Sequence, residues 1–193
     1  MATIKKAVNR LLEKHPKVKA SWEIMASFLP WCPGRKTPPN GALHIKLHRQ
    51  WTDYSCTAAV AQMVAHYYGI ELSHRKAIEL TGCKPDGATI IDSARALART
   101  YGFKTRILKT RRQTRKALQQ GYPVMASDMV TFDEGHAILL VGETAKGYWI
   151  SDSYRCEIYW RHEDRFMAGA DEIVAVIGER PVEQPQKRRA RRL

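Results

Sequence analysis

The clearest pattern in the chain is an apolar stripe at helical spacing that ends just before Gly69. Apolar side chains that recur every three or four residues share one face of a helix, and glycine often terminates a helix. Asp53 and Ser55, just before the stripe, are residue types that cap helix N-termini. The pattern therefore predicts a helix whose first turn contains Cys56. The stripe consists of Cys56, Ala59, Val60, Met63, Val64 and Tyr67.

Hydrophobic periodicity along the rest of the chain predicts a mixture of helices and short strands. Helical spacing predicts helices at 73–81, 90–101 and 111–120. Apolar or alternating runs predict strands at 44–48, 103–108, 123–127 and 171–178. A buried β-hairpin is predicted from two apolar runs, at 137–141 and 148–150, that a polar turn joins. We therefore predict an α+β fold in which N-terminal helices pack on an antiparallel β-sheet.

Proline, glycine and basic residues divide the chain into three predicted parts. Two short amphipathic patterns precede a stretch at 30–42 that is too rich in proline and glycine for any regular element. We predict a helical and proline-rich extension at 1–43, a globular domain at 44–180 and a basic tail at 181–193 that is disordered when free. The positive charges of the tail are Lys187, Arg188, Arg189, Arg191 and Arg192.

Charge and hydropathy narrow the environment that we expect for the protein. The 193 residues include 32 Lys and Arg against 19 Asp and Glu, a formal net charge of +13. This excess favours contact with nucleic acid or another polyanion. No run approaches the ~18 apolar residues of a membrane span, and the N-terminus lacks the features of a signal peptide. We expect a soluble, cytoplasmic protein, either free or incorporated in a phage particle or larger assembly.

The cysteines are Cys32, Cys56, Cys83 and Cys156, and their spacing forms no C-x-x-C pair. This spacing indicates neither a zinc site nor a dense disulfide framework, so we predict free thiols, no metal and no other cofactor. Cys56 differs from the others because the first turn of a helix stabilises a thiolate. We predict that Cys56 is a nucleophile, with the Gln50 amide and the Cys56 backbone N–H as donors to an oxyanion.

The predicted hairpin supplies a base for Cys56. With the turn centred on 143–147, positions whose numbers sum to about 288 to 290 face each other, so His136 falls opposite Asp152. Their Cβ atoms would be roughly 5 Å apart, which allows the carboxylate to accept the imidazole Nδ1–H. The Nε2 atom would then take the proton of Cys56, as in a catalytic triad. The predicted catalytic residues are Cys56, His136, Asp152 and Gln50.

The order of these four residues resembles that in the bacteriocin-processing, double-glycine leader peptidases, which are papain-like cysteine peptidase domains of bacteriocin exporters. The similarity covers residues 44–178 and includes the glycine-bounded helical pattern DGATIIDSARALARTYGFKTRIL. The resemblance implies a papain-like fold, a Cys56 nucleophile, a His136 base, an orienting Asp152 and an oxyanion-hole Gln50. It also implies hydrolysis of a peptide or isopeptide bond after small residues such as Gly-Gly.

Three residues next to the site depart from the family pattern. The family usually has Asp before and Gly after its cysteine, whereas Ser55 and Thr57 stand here, and Ser153 replaces a common proline after the aspartate. The sequence also contains no membrane domain and no Gly-rich phosphate-binding loop. We therefore expect a stand-alone relative that acts on a peptide or protein substrate.

Two other interpretations stay open on the sequence alone. The fold could serve a non-catalytic or structural module that binds a polyanion or forms part of a phage or secretion assembly, since seven basic residues and no acid lie between Lys104 and Lys116. The same site could also catalyse acyl transfer or deamidation through a thioester. The natural substrate, the oligomeric state and the role of residues 1–43 stay open as well.

Overall fold

A six-stranded antiparallel sheet is the framework of the described residues, which are residue 39, residues 41–129 and residues 135–179 of a computed structural model. The strand order is β1-β6-β2-β3-β4-β5, so β3 lies between β2 and β4 in the middle of the sheet. The strands are β1 (Lys104–Ile107), β2 (Val124–Ser127), β3 (Ala137–Thr144), β4 (Gly147–Asp152), β5 (Glu157–His162) and β6 (Ile173–Ile177).

Helices cover both faces of this sheet. Helix α1 (Cys56–Tyr67) is buried along most of its length, because its small alanine and valine side chains let neighbouring elements approach closely. Helices α2 (His74–Thr81) and α3 (Ile90–Tyr101) pack against α1 on the same face of the sheet. Helices α4 (Arg111–Gln119) and α5 (Glu163–Gly169) cover the opposite face.

The continuous apolar run of β3 serves two cores at once. Successive strand residues point to opposite faces, so Leu139 and Val141 pack with α1 while Ile138 and Leu140 pack with α4 and α5. A central strand that is buried on both faces needs apolar residues at every position. The first core also contains Val174 and Val176 of β6, and the second contains Ile173 and Ala175.

Local capping residues set the limits of the outer helices. Ser73 and Thr89 are the N-caps of α2 and α3, and each side chain accepts the N–H of the residue three positions further on. Gly82 and Gly102 end these helices at φ angles of 66° and 74°, in the left-handed region that glycine adopts without strain. The predicted α+β fold, with helices packed on an antiparallel sheet, is confirmed.

The predicted strand at 44–48 is wrong, because the described chain has no strand there. Its alternation reflects burial instead: Leu43 and Ile45 enter the core from an extended segment. The middle strand β3 already pairs on both sides, so it has no free edge. A single bond from Leu43 N to Val141 O, at 2.6 Å, is possible where the β3–β4 register shifts between Leu140 and Gly142.

Two elements and one covalent bond were missed by the sequence analysis. Strand β5 forms an edge of the sheet and mixes charged with aromatic residues, so it lacks a clean apolar period, and α5 is a short helix that follows it directly. The prediction of free thiols is wrong for Cys156, which is disulfide-bonded, whereas Cys56 and Cys83 are free. Disulfide pairing depends on proximity in space, which sequence spacing does not reveal.

Parts of the predicted organisation fall on residues that the structure does not describe. The helices expected within 1–43, Cys32 and the basic tail at 181–193 lie outside the described residues. The three-part division and the cytoplasmic location therefore stay predictions. Across residues 41–129 and 135–179, each helix is too short or too polar to cross a membrane.

Candidate active site

Cys56 is the first residue of α1 and is partly exposed at the floor of a cleft. The predicted N-cap Ser55 occupies the cap position, but its side chain does not cap the helix. Its hydroxyl oxygen instead accepts the backbone N–H groups of Trp51 and Thr52, each at 3.0 Å. The first backbone N–H groups of α1 are therefore left without a side-chain cap, and such a helix start favours a thiolate.

His136 lies beside Cys56, and the two side chains change each other's pKa. Burial by itself would raise the pKa of Cys56, but the hydrogen bond and positive charge of His136 outweigh it and the pKa is lowered. Burial would likewise lower the pKa of His136, yet the hydrogen bonds that its ring donates to Asp152 and Cys56 raise it. The two shifts are consistent and favour a thiolate–imidazolium ion pair at neutral pH.

The imidazole of His136 is held by Asp152 through Nε2, at 2.8 Å from Oδ1. The expected contact of these two residues exists, but the expected assignment of the ring nitrogens is reversed. The hairpin register explains the difference, because Asp152 pairs with Ile138 and not with His136. Asp152 is thus a diagonal neighbour of His136 and meets the far nitrogen of the ring, which leaves Nδ1 for Cys56.

Hydrogen bonds keep Asp152 ionised although it is fully buried. Its Oδ1 also accepts the backbone N–H groups of Tyr154 at 2.9 Å and Arg155 at 3.2 Å, and the Arg155 Nε atom lies 3.7 Å from Oδ2. Burial opposes the charge, but the hydrogen bond with His136 and these backbone donors lower the pKa of Asp152. An ionised Asp152 is the form that stabilises a protonated His136.

Gln50 is buried next to the same loop, and its side chain is fixed at both ends. Its Oε1 accepts the hydroxyl of Ser153 at 3.0 Å, and its Nε2 donates to the carbonyl oxygens of Thr52 at 2.8 Å and Asp53 at 3.2 Å. Ser153 is a residue that the sequence analysis treated only as a departure from the family pattern. Its position directly after Asp152 was the signal that could have pointed to a role beside the site.

The cleft beside Cys56 has a volume of about 360 Å³ and is lined by the start of α1, residues 86–90, residues 135–137, Ser127, Met129 and Glu172. Thr57 Oγ1 donates to Ala88 O at 3.1 Å and so joins α1 to the wall formed by residues 86–90. On the other wall, a Cβ atom at Gly135 would lie 2.9 Å from the Met129 sulfur. The Met129 side chain thus lies directly against Gly135. The described residues hold no group of three or more His, Cys, Asp or Glu side chains that could bind a metal ion.

The fold and a cysteine–histidine pair in a cleft are the features of a papain-like cysteine peptidase. The model of the family described as the Peptidase C39 family matches residues 44–179, and the chain belongs to this family. The protein is therefore a cysteine peptidase, and thus a hydrolase. The resemblance to double-glycine leader peptidases is confirmed by this family and by solved structures of the same fold.

Three solved structures illustrate the likeness, each below 25% identity, so that each shows the fold alone. The peptidase domain of Streptococcus ComA, a bi-functional ABC transporter involved in a quorum sensing pathway, is 22% identical with a TM-score of 0.61, over 70% of this chain and 100% of that chain. A double glycine motif protease from an AMS/PCAT transporter, in complex with the leader peptide, is 18% identical with a TM-score of 0.57, over 72% and 93%. A C39-like peptidase from Bacillus anthracis is 12% identical with a TM-score of 0.58, over 70% and 95%. Among curated proteins no match is found.

Proposed function

We propose that Cys56 is the nucleophile of this peptidase and that His136, oriented by Asp152, carries the protons. The observation that carries the proposal is the 2.8 Å bond from His136 Nε2 to Asp152 Oδ1, which leaves Nδ1 for the thiol. The lowered pKa of Cys56 and the raised pKa of His136 support a resting ion pair. The nucleophile is then ready before the substrate binds.

The reaction consists of two acyl-transfer steps. The Cys56 thiolate attacks the carbonyl carbon of the scissile bond, and the C–N bond breaks as His136 Nδ1 gives its proton to the leaving amine. A water molecule then attacks the thioester carbonyl carbon while His136 Nδ1 takes its proton, and the carboxylic acid product leaves with restoration of the thiolate. Asp152 stays ionised and stabilises the imidazolium in both steps.

We assign the oxyanion site to the side-chain amide of Gln50 and the backbone N–H of Cys56. The bond from Ser153 to Gln50 Oε1 supports this assignment, because it turns the amide nitrogen toward the loop before Cys56. Donation to an oxyanion would replace the longer of the two loop bonds, the 3.2 Å bond to Asp53 O. One such donor is typically worth about 10² to 10³ in rate.

For the substrate, we propose a peptide or protein that is cut after small residues, with Gly-Gly as the preferred pair. The family and the double glycine motif protease among the similar structures support this proposal.

A diverse peptide library tests the reaction and its specificity together. Cleavage products of the wild type should carry Gly or Ala in the two positions before the cut, and Cys56→Ala should give none. Enrichment of large aromatic or basic residues at these positions would contradict the proposed specificity. Transfer of the acyl group to an added amine, or loss of ammonia without chain cleavage, would indicate acyl transfer or deamidation in place of hydrolysis.

A second proposal concerns the partner suggested by the net charge of +13. We propose that a basic surface on the α4 side of the sheet, together with the tail, binds nucleic acid. Arg106 is paired with Ala175, which packs in the core under α4, so Arg106 points to the α4 side. We define the basic surface as the exposed residues Lys104, Arg106, Lys109, Arg112 and Lys116.

The neighbouring arginines are not counted in the basic surface, because they form ion pairs with acidic side chains. Arg111 and Arg115, on the flank toward α5, are matched by Glu143, Glu163 and Asp164. Strand β6 ends at this surface, because its last residue, Ile177, pairs with Lys104. Lysine and arginine charges that join one continuous surface are typical of phosphate binding.

Salt titration of binding to a DNA duplex tests this second proposal. Deletion of residues 186–193 removes five positive charges and should lower the slope of log K against log salt by up to about five counterions. Exchange of Arg112 and Lys116 for glutamate should lower it further, with Arg75→Glu on α2 as the control. A slope that neither change alters would show that these charges only solubilise the protein. Hydrolysis of a small peptide should be unchanged in all of them.

A further inference from the structure

A buried chain of hydrogen bonds runs from the loop before Cys56 to the start of α2. Ser55 Oγ accepts the N–H groups of Trp51 and Thr52 and lies 3.3 Å from Nε2 of His74. The other ring nitrogen, Nδ1, lies 3.1 Å from Oε1 of Gln62. Ser55 and His74 are 0% and 3% exposed, so water does not replace these contacts. The network is not part of the proposed Cys56, His136 and Asp152 site.

The direction of each bond in this chain follows from the donors and acceptors present. Gln62 Nε2 donates to Leu72 O at 2.8 Å, so Gln62 Oε1 is the atom that accepts from His74 Nδ1–H. Burial lowers the pKa of His74, which keeps the ring neutral at pH 7. Neutral His74 with a proton on Nδ1 has an acceptor at Nε2, and the hydroxyl of Ser55 faces this nitrogen at 3.3 Å, the same distance as from its second acceptor, Thr52 O.

This network of hydrogen bonds fixes the backbone that carries Gln50. The two N–H groups bound by Ser55 and the two carbonyl oxygens bound by Gln50 Nε2 belong to one loop, residues 51–53, directly before α1. The ring of Trp51 also packs on His74, with centroids 4.6 Å apart. A change at His74 therefore reaches the Gln50 side chain through Ser55 and this loop.

We propose that His74 is a positioning residue for hydrolysis: as a neutral acceptor for the Ser55 hydroxyl, it holds the 51–53 loop in the conformation that presents Gln50 to the oxyanion. This inference rests on the proposed oxyanion role of Gln50. His74 gives the serine before the nucleophile a second acceptor for its hydroxyl, besides Thr52 O. A 1 Å displacement of a catalytic group can cost about 10²-fold in rate.

Two variants of His74 test the contacts of its two ring nitrogens separately. Glutamine places an oxygen where Nε2 stands and so keeps an acceptor for Ser55. Asparagine reaches only the Nδ1 position and keeps the contact with Gln62. We expect His74→Asn to lower kcat by about tenfold to 10²-fold, and His74→Gln to retain most of it. His44→Asn, at an exposed histidine, is the matched control.

Alkylation of Cys56 by iodoacetamide provides a second readout, because this reaction forms no oxyanion. His74→Asn should alkylate at the wild-type rate over the whole pH range while its peptide hydrolysis falls. The double variant of His74→Asn with Gln50→Ala should have nearly the kcat of Gln50→Ala alone, because the loop cannot misplace a side chain that has been removed. ¹⁵N NMR of His74 should show the Nδ1–H tautomer.

Several results would overturn the inference. The inference would be contradicted by equal kcat in His74→Asn and His74→Gln. It would also be contradicted by effects of His74→Asn and Gln50→Ala that are fully additive, or by an Nε2–H tautomer of His74. If His74→Asn does not fold, Ser55→Ala and Ser55→Thr give the same comparison, with threonine keeping the hydroxyl; equal loss of kcat in both would also overturn it. A Gln50→Ala variant with wild-type kcat would instead contradict the proposed oxyanion role of Gln50, while the proposed roles of Cys56 and His136 would stand.

Discussion

Replacement of Asp152 by asparagine tests the ion pair between Cys56 and His136 most directly. Asparagine keeps an oxygen that can accept the backbone N–H groups of Tyr154 and Arg155, so the turn after β4 keeps its hydrogen bonds. It removes the negative charge 2.8 Å from His136 Nε2. The variant therefore changes the charge beside the imidazole while it nearly preserves the shape of the site.

The expected magnitude follows from the contact that is weakened. A hydrogen bond between charged groups contributes roughly 1.5–3 kcal/mol, and about 1.4 kcal/mol corresponds to one pKa unit. The pKa of His136, which Asp152 raises, should fall by about 1 to 2 units. The pKa of Cys56 is lowered by protonated His136, so it should rise in the variant.

The sign of the pH effect is opposite for the two groups. Activity needs the Cys56 thiolate, which forms as pH rises through its lowered pKa, and protonated His136, which is lost as pH rises through its raised pKa. In Asp152→Asn the acid limb should move to higher pH and the alkaline limb to lower pH. The two limbs report the coupled pair, so the width of the plateau is the quantity to compare.

Both limbs are read from kcat/KM for a fluorogenic peptide between pH 3 and pH 11. The rate of Cys56 alkylation by iodoacetamide over the same range, with the modified site identified by mass spectrometry, reports the acid limb alone, because this reaction needs only the thiolate. Asp164→Asn is the matched control, because Asp164 is exposed and pairs with Arg111, away from the site. An Asp152→Asn plateau as wide as that of the wild type would refute the assignment of Asp152.

Three further predictions address the same site and its support. Cys56→Ala and His136→Ala should each abolish peptide hydrolysis, and the double variant should be no slower, because the two act as a unit; measurable turnover in Cys56→Ala would end the proposal. Gln50→Ala should lower kcat by about 10² to 10³-fold without slowing alkylation, and an equal loss in both assays would argue against an oxyanion role. Arg161→Met should lower the free energy of unfolding by about 3–5 kcal/mol in a urea titration, because it removes a guanidinium that forms a 2.7 Å ion pair with buried Asp128; a loss below about 1 kcal/mol would contradict this.

The tertiary structure relates the Arg161 prediction to the site. Asp128 exchanges two backbone hydrogen bonds with His136, of 2.7 and 3.1 Å, so the ion pair anchors the strand end that carries the imidazole. No local pattern in the sequence marks this pair, since 33 positions separate its members. Strands β3 and β4 lie between β2 and β5 in the sheet, so the strand order does not mark the pair either.

The sequence by itself determined the features that depend on near neighbours along the chain. Helical periodicity and the residue types before Cys56 predicted a helix that starts at the thiol, and it starts there. The caps Ser73 and Thr89 and the glycines that end α2 and α3 also act within a few residues, so they could be predicted. The two apolar runs identified the β3–β4 hairpin for the same reason.

Only the tertiary structure decided how distant groups meet. The β3–β4 register, with its shift between Leu140 and Gly142, places Asp152 opposite Ile138, and Nε2 of His136 is the nitrogen that meets the carboxylate. The role of His74 could not be predicted, because its contacts with Ser55 and Gln62 join two helices across 19 and 12 positions. Hydrogen bonds between side chains depend on ångström-scale separations that the packing of the whole core sets, and periodicity carries no information about them.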